Sequence, residues 1–325
     1  MIENKKNKTK RECSIQIQKM IPFIRKKTGF FALILTLGIF NGINAQSIDI
    51  LKDKIQKVVA NKKATVAFAM QGMHAKDSLS MNGDKRLPMQ SVYKYHLALA
   101  VLDQVDRENL ALEQLISIDK QRIDAYKHLW SPLRKKYPNG AIISLSEILK
   151  NTVAWSDNLG CDLLFEIIGG PNALQSYLKK IGIADIAIVH TEMEMQAKWE
   201  RQFENWTTAK AANKVLHLFY ENTEKMLSAK SRDFLLHVLM GTKTGKKSIR
   251  GLLSKETVVA HKTGHSGKNK KGITGAVNDI GIVFLPDNSY FYLSILVSES
   301  LESDQTNQRM IAEIAKLSWD YFKNK

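Results

Sequence analysis

Apolar residues recur at helical spacing from Ile48 to Val59 (IDILKDKIQKVV), which predicts an amphipathic helix. The period then shortens. Ala64 to Met70 (ATVAFAM) and Ser78 to Met81 read as a strand pair around a turn at Gly72. After Leu87-Pro88-Met89 a helix begins near Ser91, and the chain stays helical for a long way. Leu112–Ile118 and Leu145–Val153 are apolar-periodic, with Ser144 placed to cap the second. Leu163–Ile168 opens a helix that Gly169-Gly170-Pro171 stops, and Asn172–Ile181 is another, ended by Gly182. Thr191 to Trp206 has no clear period and much charge. It reads as a long irregular loop, and such loops in compact domains are often functional. Thr207 or Thr208 then caps Ala209–Tyr220, and Gly241 closes Ser231–Met240. The end returns to strands: Thr257–Lys262, Thr274–Leu285 and, after a Pro286-Asp287-Asn288 turn, Tyr290–Val297. Thr306–Phe322 is a closing amphipathic helix. Strands at both ends and helices between imply an α+β fold. In it an antiparallel sheet built from both ends of the chain, flanked by helices, is joined to an all-helical lobe over about 95–245, with a cleft between them.

Composition alters this picture only at the N-terminus. The chain has 325 residues, 44% hydrophobic and 25% charged, which is ordinary for a globular protein. Its formal charge is +16, of which residues 1–45 carry +7. No aromatic-interleaved basic motif or zinc-finger spacing accompanies that charge, so nucleic acid is not expected as a partner. Lys5 to Lys27 forms a basic stretch, and Phe30 to Phe40 (FFALILTLGIF) is an apolar run short for a bilayer span. A small residue, Ala45, follows. The expectation is a secretory signal peptide over 1–45, a mature start near Gln46, a catalytic domain over 46–325 and a periplasmic location without stable membrane association. An uncleaved anchor is the rival. Of the two cysteines, Cys13 leaves with the leader and Cys161 remains alone, so the mature chain has no intramolecular disulfide. Cys161 reads as a small buried hydrophobe.

Chemistry concentrates around Ser91-Val92-Tyr93-Lys94. Serine and lysine three apart on a helix share a face, separated by about 4.5 Å of rise. A hydroxyl needs a base to become a nucleophile, and a lysine serves only where its surroundings favour the neutral amine. Alone the pattern is far more often an N-cap followed by a solvated lysine. Three other stretches change that: Ser156-Asp157-Asn158 after a helix end, Glu192 in the irregular loop, and Lys262-Thr263-Gly264 at a strand end. A second copy, Lys243-Thr244-Gly245, follows a helix and Gly241, so it reads as a loop. Only a strand edge leaves free N–H and C=O groups for a ligand, which favours the later copy.

Ser-x-x-Lys, Ser-Asp-Asn and Lys-Thr-Gly in this order, with a loop glutamate, are the signature of class A β-lactamases and penicillin-binding proteins. The mature chain resembles a class A serine β-lactamase along nearly its whole length. It is most similar to the extended-spectrum branch, through Trp130-Ser131-Pro132-Leu133 and Thr191-Glu192-Met193-Glu194-Met195. The resemblance implies a serine β-lactamase/transpeptidase-like fold and hydrolysis of the β-lactam amide through a serine acyl-enzyme, conferring resistance, with cephalosporins the expected substrates. It assigns Ser91 as nucleophile, Lys94 as proton acceptor or relay, Ser156 as proton donor to the leaving nitrogen and Glu192 as activator of the deacylating water. Whether Lys94 or Glu192 is the acylation base stays open. Asn158 would bind the substrate side-chain amide, and Lys262 its carboxylate. The N–H groups of Ser91 and His265 would form the oxyanion hole. Thr263 and Ser266 would line the same edge. Arg250 would be a second carboxylate anchor or a surface residue, and Trp130 either stacks on ligand or packs inside. Asp157 would brace its turn.

Three departures from the family pattern stand out, and they bear on substrate range. Gln196 stands where asparagine is common, and His265 where small or hydroxyl residues are common; Met193 replaces a proline. Glu194 is a rival for the glutamate role. The eight histidines lack metal-ligand spacing, so neither metal nor cofactor is expected, and His217 and His237 read as packed. The expected protein is a monomer acting on a small molecule. Competing functions are a D,D-peptidase, which lacks a deacylating glutamate, and a non-hydrolytic β-lactam sensor.

Overall fold

The computed structural model describes residues 47–325 apart from positions 75 and 224. The expected leader over 1–45 lies outside the described residues. In chain order the elements are α1 (Ile48–Val59), β1 (Thr65–Gly72), β2 (Ser78–Met81), β3 (Leu87–Pro88), a 3-10 turn (Gln90–Val92) and α2 (Tyr93–Asp106). Then come β4 (Leu115–Ile118), α3 (Lys120–Ala125), α4 (Pro132–Lys136), β5 (Ala141–Ser144), α5 (Leu145–Ala154), α6 (Asn158–Ile168) and α7 (Pro171–Lys180). These are followed by β6 (Ile186–Ala187), α8 (Glu192–Gln196), a 3-10 turn (Trp199–Phe203), β7 (Trp206–Thr207), α9 (Ala209–Glu221) and α10 (Ala229–Met240). A 3-10 turn (Ile249–Leu252), β8 (Val259–His265), β9 (Thr274–Phe284), β10 (Tyr290–Ser300) and α11 (Asp304–Lys323) complete the chain.

Among the described residues the first and last strands meet in one antiparallel sheet of order β2-β1-β10-β9-β8, with Thr65 opposite Ser298 and Lys262 opposite Ile280. Side chains alternate between its faces. Val66, Phe68, Met70, Leu293, Ile295 and Val297 point to one side, where Leu51 and Ile55 of α1 and Ile311 and Ile314 of α11 cover them. Ala67, Ala69, Ile280, Ile282, Tyr292 and Leu296 face the other side and merge with the helical core. The centre of that core is α2, buried on every side from Tyr93 to Leu102. Each fully buried Leu or Val contributes roughly 1.5–3 kcal/mol. That apolar contribution lets a charged residue, Lys94, be carried inside.

Caps fix where the helices start. Ser144 Oγ accepts from Glu147 N (3.2 Å), and it is Thr208, not Thr207, that accepts from Ala211 N (3.0 Å). Gly169, at φ 92°, ends α6 in the left-handed region that favours glycine, and Pro171 opens α7.

Four readings of the pattern need correction. Residues 112–118 are not helical: Leu115–Ile118 form a strand paired with Ala141–Ser144. The helix expected from Leu163 starts at Asn158, because Asp157 caps it through Gly160 N (2.8 Å). The stretch 191–206 is ordered: Thr191 and Glu194 form a reciprocal capping box at the head of α8, and Trp206–Thr207 pair with both Leu87–Pro88 and Ile186–Ala187. The first turn also moves. Strand β1 runs through Gly72, where a Cβ would stand 2.5 Å from the Phe322 ring, and the reversal lies beyond it.

Candidate active site

Ser91 lies in the 3-10 turn that leads into α2, and Lys94 follows one turn later. Lys94 is fully buried. Its Nζ donates to Asn158 Oδ1 (2.5 Å) and to Ser156 O (3.1 Å), and stands 3.1 Å from Glu192 Oε1. The same Glu192 oxygen is 3.5 Å from Ser91 Oγ, so one carboxylate oxygen reaches both the hydroxyl and the amine. Glu192 is itself buried, and its Oε2 has no hydrogen-bond partner among the described residues. An unpaired buried carboxylate oxygen is costly, which marks it as a place for a polar reactant.

Asp162 holds Glu192 in position. Its carboxylate accepts from Glu192 N (2.7 Å), Met193 N (2.9 Å) and the Tyr126 hydroxyl (2.8 Å), securing the first turn of α8. Burial, opposed by these bonds and reinforced by the Glu192 charge, pushes Asp162 up to about 6. The sequence offered little sign of this role, since Asp162 sits in a plain α6 pattern thirty residues before Glu192.

On the opposite wall Ser156 adopts φ 59°, a left-handed conformation unusual for a residue with a Cβ. The buried Lys262 Nζ donates to Ser156 Oγ (3.0 Å) and to Thr263 O (2.8 Å). Burial, aided by the nearby charge of Lys94, pulls Lys262 down to about 7. Asp157 braces the turn as expected, accepting from Ser131 Oγ (2.9 Å), Leu133 N (2.7 Å) and Gly160 N (2.8 Å). Cys161 is buried and free beside the Tyr93 hydroxyl (3.7 Å). Burial pushes its thiol well up, which leaves it a poor nucleophile.

Strand β8 closes the third side. Gly264 backs directly onto the Ser91 turn: a Cβ there would collide with Met89 O and stand 3.2 Å from Ser91 N. Only glycine permits this approach, which brings the β8 edge alongside the nucleophile's own N–H. The result is a cleft of about 450 Å³ lined by Ser91, Ser156, Asn158, Glu192, Thr263 and His265, with Trp130, Gln196 and Ser266 on its walls.

A protein-family model described as the Beta-lactamase enzyme family matches residues 50–322. The chain is 41% identical to "Beta-lactamase VEB-1" of Pseudomonas aeruginosa, covering 90% of this chain and 98% of that one. It is 39% identical to "Extended-spectrum beta-lactamase PER-1" of Pseudomonas aeruginosa, over 86% of this chain and 89% of the relative. The crystal structure of TLA-3 extended-spectrum beta-lactamase superposes with a TM-score of 0.82 at 46% identity, covering 85% of this chain and 99% of that one. The chain belongs to the β-lactamase enzyme family.

Within this β-lactamase the remaining expected residues divide. Gln196 and Ser266 lie on the cleft, Ser266 Oγ being tied to Ala276 N (2.9 Å). Trp130 sits half-exposed at the rim, its Nε1 donating to Trp155 O (2.9 Å) and the Lys135 ammonium lying 4.8 Å over its ring. It is therefore not a core residue, and one face is already covered by a cation. The His265 imidazole turns toward Asp304 Oδ2 (3.2 Å) and accepts from Gly267 N (3.0 Å), so the strand edge keeps the backbone. Arg250 needs correction. Its guanidinium donates to Met240 O and Val259 O (2.7 Å each), tying the end of α10 to β8, and the residue is not on the cleft wall. The wall there is made instead by Thr244, Gly245 and Ser248, which the motif reading passed over. Thr244 Oγ1 meets Thr263 Oγ1 at 2.7 Å.

Proposed function

We propose that Ser91 attacks the β-lactam carbonyl and that the resulting ester is hydrolysed by a water that Glu192 deprotonates. The observation that carries this reading is the shared Glu192 Oε1, 3.5 Å from Ser91 Oγ and 3.1 Å from Lys94 Nζ, with Oε2 unpartnered. In acylation the Ser91 proton passes to Lys94 or Glu192, and the N–H groups of Ser91 and His265 receive the oxyanion. The ring C–N bond then breaks, and the nitrogen takes a proton from Ser156, which Lys262 holds by its Oγ. In deacylation the water loses its proton to Glu192, adds to the ester and releases the Ser91 oxygen, which regains a proton. Thr263 and Ser266 on the cleft wall would receive the substrate carboxylate, attracted by the buried Lys262 ammonium behind Ser156, and Asn158 would bind its side-chain amide.

The expected substrates are cephalosporins among other β-lactams, a reading supported by the extended-spectrum relatives. The protein acts after export, with a leader over 1–45 removed near Gln46, as a monomer that confers resistance. Steady turnover of nitrocefin by the purified protein, and an acyl-enzyme trapped by Glu192→Ala, test the reaction. One equivalent of product followed by silence in the wild type would overturn it. N-terminal sequencing of the exported protein tests the leader.

A further inference from the structure

The turn that carries Ser91 and the segment that carries Glu192 are joined by two buried amides. Gln90 directly precedes Ser91 and is held at φ 48°, a strained conformation for a side chain with a Cβ. Its Nε2 donates to Gln202 Oε1 (2.9 Å). Gln202 lies in the 3-10 turn that follows α8, and its own Nε2 donates to Trp199 O (2.8 Å). Both glutamines are nearly inaccessible, at 3% exposure each, and neither is on the cleft wall. The pair is also gripped from both ends. Gly264 of β8 presses on Gln90, where an added Cβ would stand 3.1 Å from the Gln90 Cβ. Gly275 of β9 lies flat against the Gln202 amide, and a Cβ there would collide with its Oε1.

We propose that Gln202, acting through Gln90, is a positioning residue for the deacylation step: the paired amides set the distance between the Ser91 ester and Glu192. Neither glutamine touches substrate. The head of α8 is secured by Asp162, and the Gln90–Gln202 bond secures the far end of the same segment to the nucleophile's turn. Releasing that end lets Glu192 drift while Ser91, Lys94 and β8 stay packed. Hydrolysis of the ester is therefore the step that suffers.

The inference rests on the hydrolytic reading above. Gln202→Met keeps length and volume but removes both amide bonds. Expected with nitrocefin is a deacylation rate constant lower by roughly ten- to a hundredfold, the upper end being the cost of misplacement by about an ångström. The acyl-enzyme should then accumulate in intact-protein mass spectra. Because acylation is spared, kcat and KM should fall together while kcat/KM stays within about threefold. Gly275→Ala, which pushes on the same amide from β9, should give the same signature and decides the matter if Gln202→Met does not fold. The double variant Gln90→Met/Gln202→Met should be no slower in deacylation than the worse single variant, since one shared bond is lost. A structural role alone would reduce the active fraction, lowering kcat at constant KM with no adduct. That result, or wild-type deacylation in the folded variants, overturns the positioning role. A wild type that never turns over defeats the hydrolytic reading and the positioning role together, whereas normal wild-type turnover with unaffected variants defeats the second alone.

Discussion

The chain contains the tripeptide Lys-Thr-Gly twice, at 243–245 and 262–264, and the two copies have opposite physical lives. In the later copy the lysine is buried, the threonine lies on a paired strand and the glycine permits close approach to Ser91. In the earlier copy the lysine is exposed, and the glycine is needed for its conformation, φ 68°. Yet the copies touch, through Thr244 Oγ1 and Thr263 Oγ1 at 2.7 Å. A three-residue motif thus carries no chemistry by itself. Burial of its cation and the pairing of its backbone supply it.

Substitutions at matching positions sharpen this contrast. The largest effect is expected from Gly264→Ala, whose Cβ would collide with Met89 O and displace the Ser91 N–H. Loss of that donor geometry should lower kcat/KM for nitrocefin by about 10²–10³-fold. Lys262→Met comes next, costing roughly 10- to 100-fold in kcat/KM for an anionic β-lactam, the range of a charge-assisted bond. A wild-type rate with either variant would erase the distinction between the copies.

A pH effect follows from the same lysine. Its folded value near 7 means that its charge is lost as pH rises through that point. KM for an anionic substrate should therefore increase on the alkaline side, and Lys262→Met should remove that inflection. Its contribution to stability runs the other way. The unfolded chain binds a proton that the folded chain has released between about pH 7 and the ordinary lysine value of about 10.4, so this group's contribution favours folding more as pH rises through that window.

Smaller effects belong to the first copy. Gly245→Ala should destabilise by about 1–2 kcal/mol or more in thermal unfolding, because alanine is strained at positive φ and its Cβ would collide with the Thr263 methyl. Lys243→Met should be the mildest, within about 0.5 kcal/mol in stability and without effect on nitrocefin turnover.

The same contrast explains what the sequence could and could not reveal. Ser91 with Lys94, Ser156 with Asn158, and Lys262 with Thr263 each lie close along the chain, so the three short motifs, read together and in order, expose them. The sheet at the two ends was legible because β1 and β10 carry nearly continuous apolar runs and β9 has apolar residues on both sides of Asn278-Asp279. Asp162 and Thr244 were not, since each owes its place to partners distant in sequence. Arg250 fits neither alternative that the resemblance left open, anchor or surface residue, because its guanidinium is committed to Met240 O and Val259 O. The β4–β5 pair escaped because Leu115 and Ile142 are exposed, which leaves no buried face to impose alternation.

The pairing of Thr65 with Ser298 has a consequence for synthesis. Strand β1 emerges from the ribosome early but finds its central neighbour only when the C-terminus has been made. Closing so long a loop is slow, and the growing polypeptide holds an open apolar edge meanwhile. Completion of the last strand therefore gates assembly of the whole, and a chain cut short before Tyr290 should precipitate rather than fold.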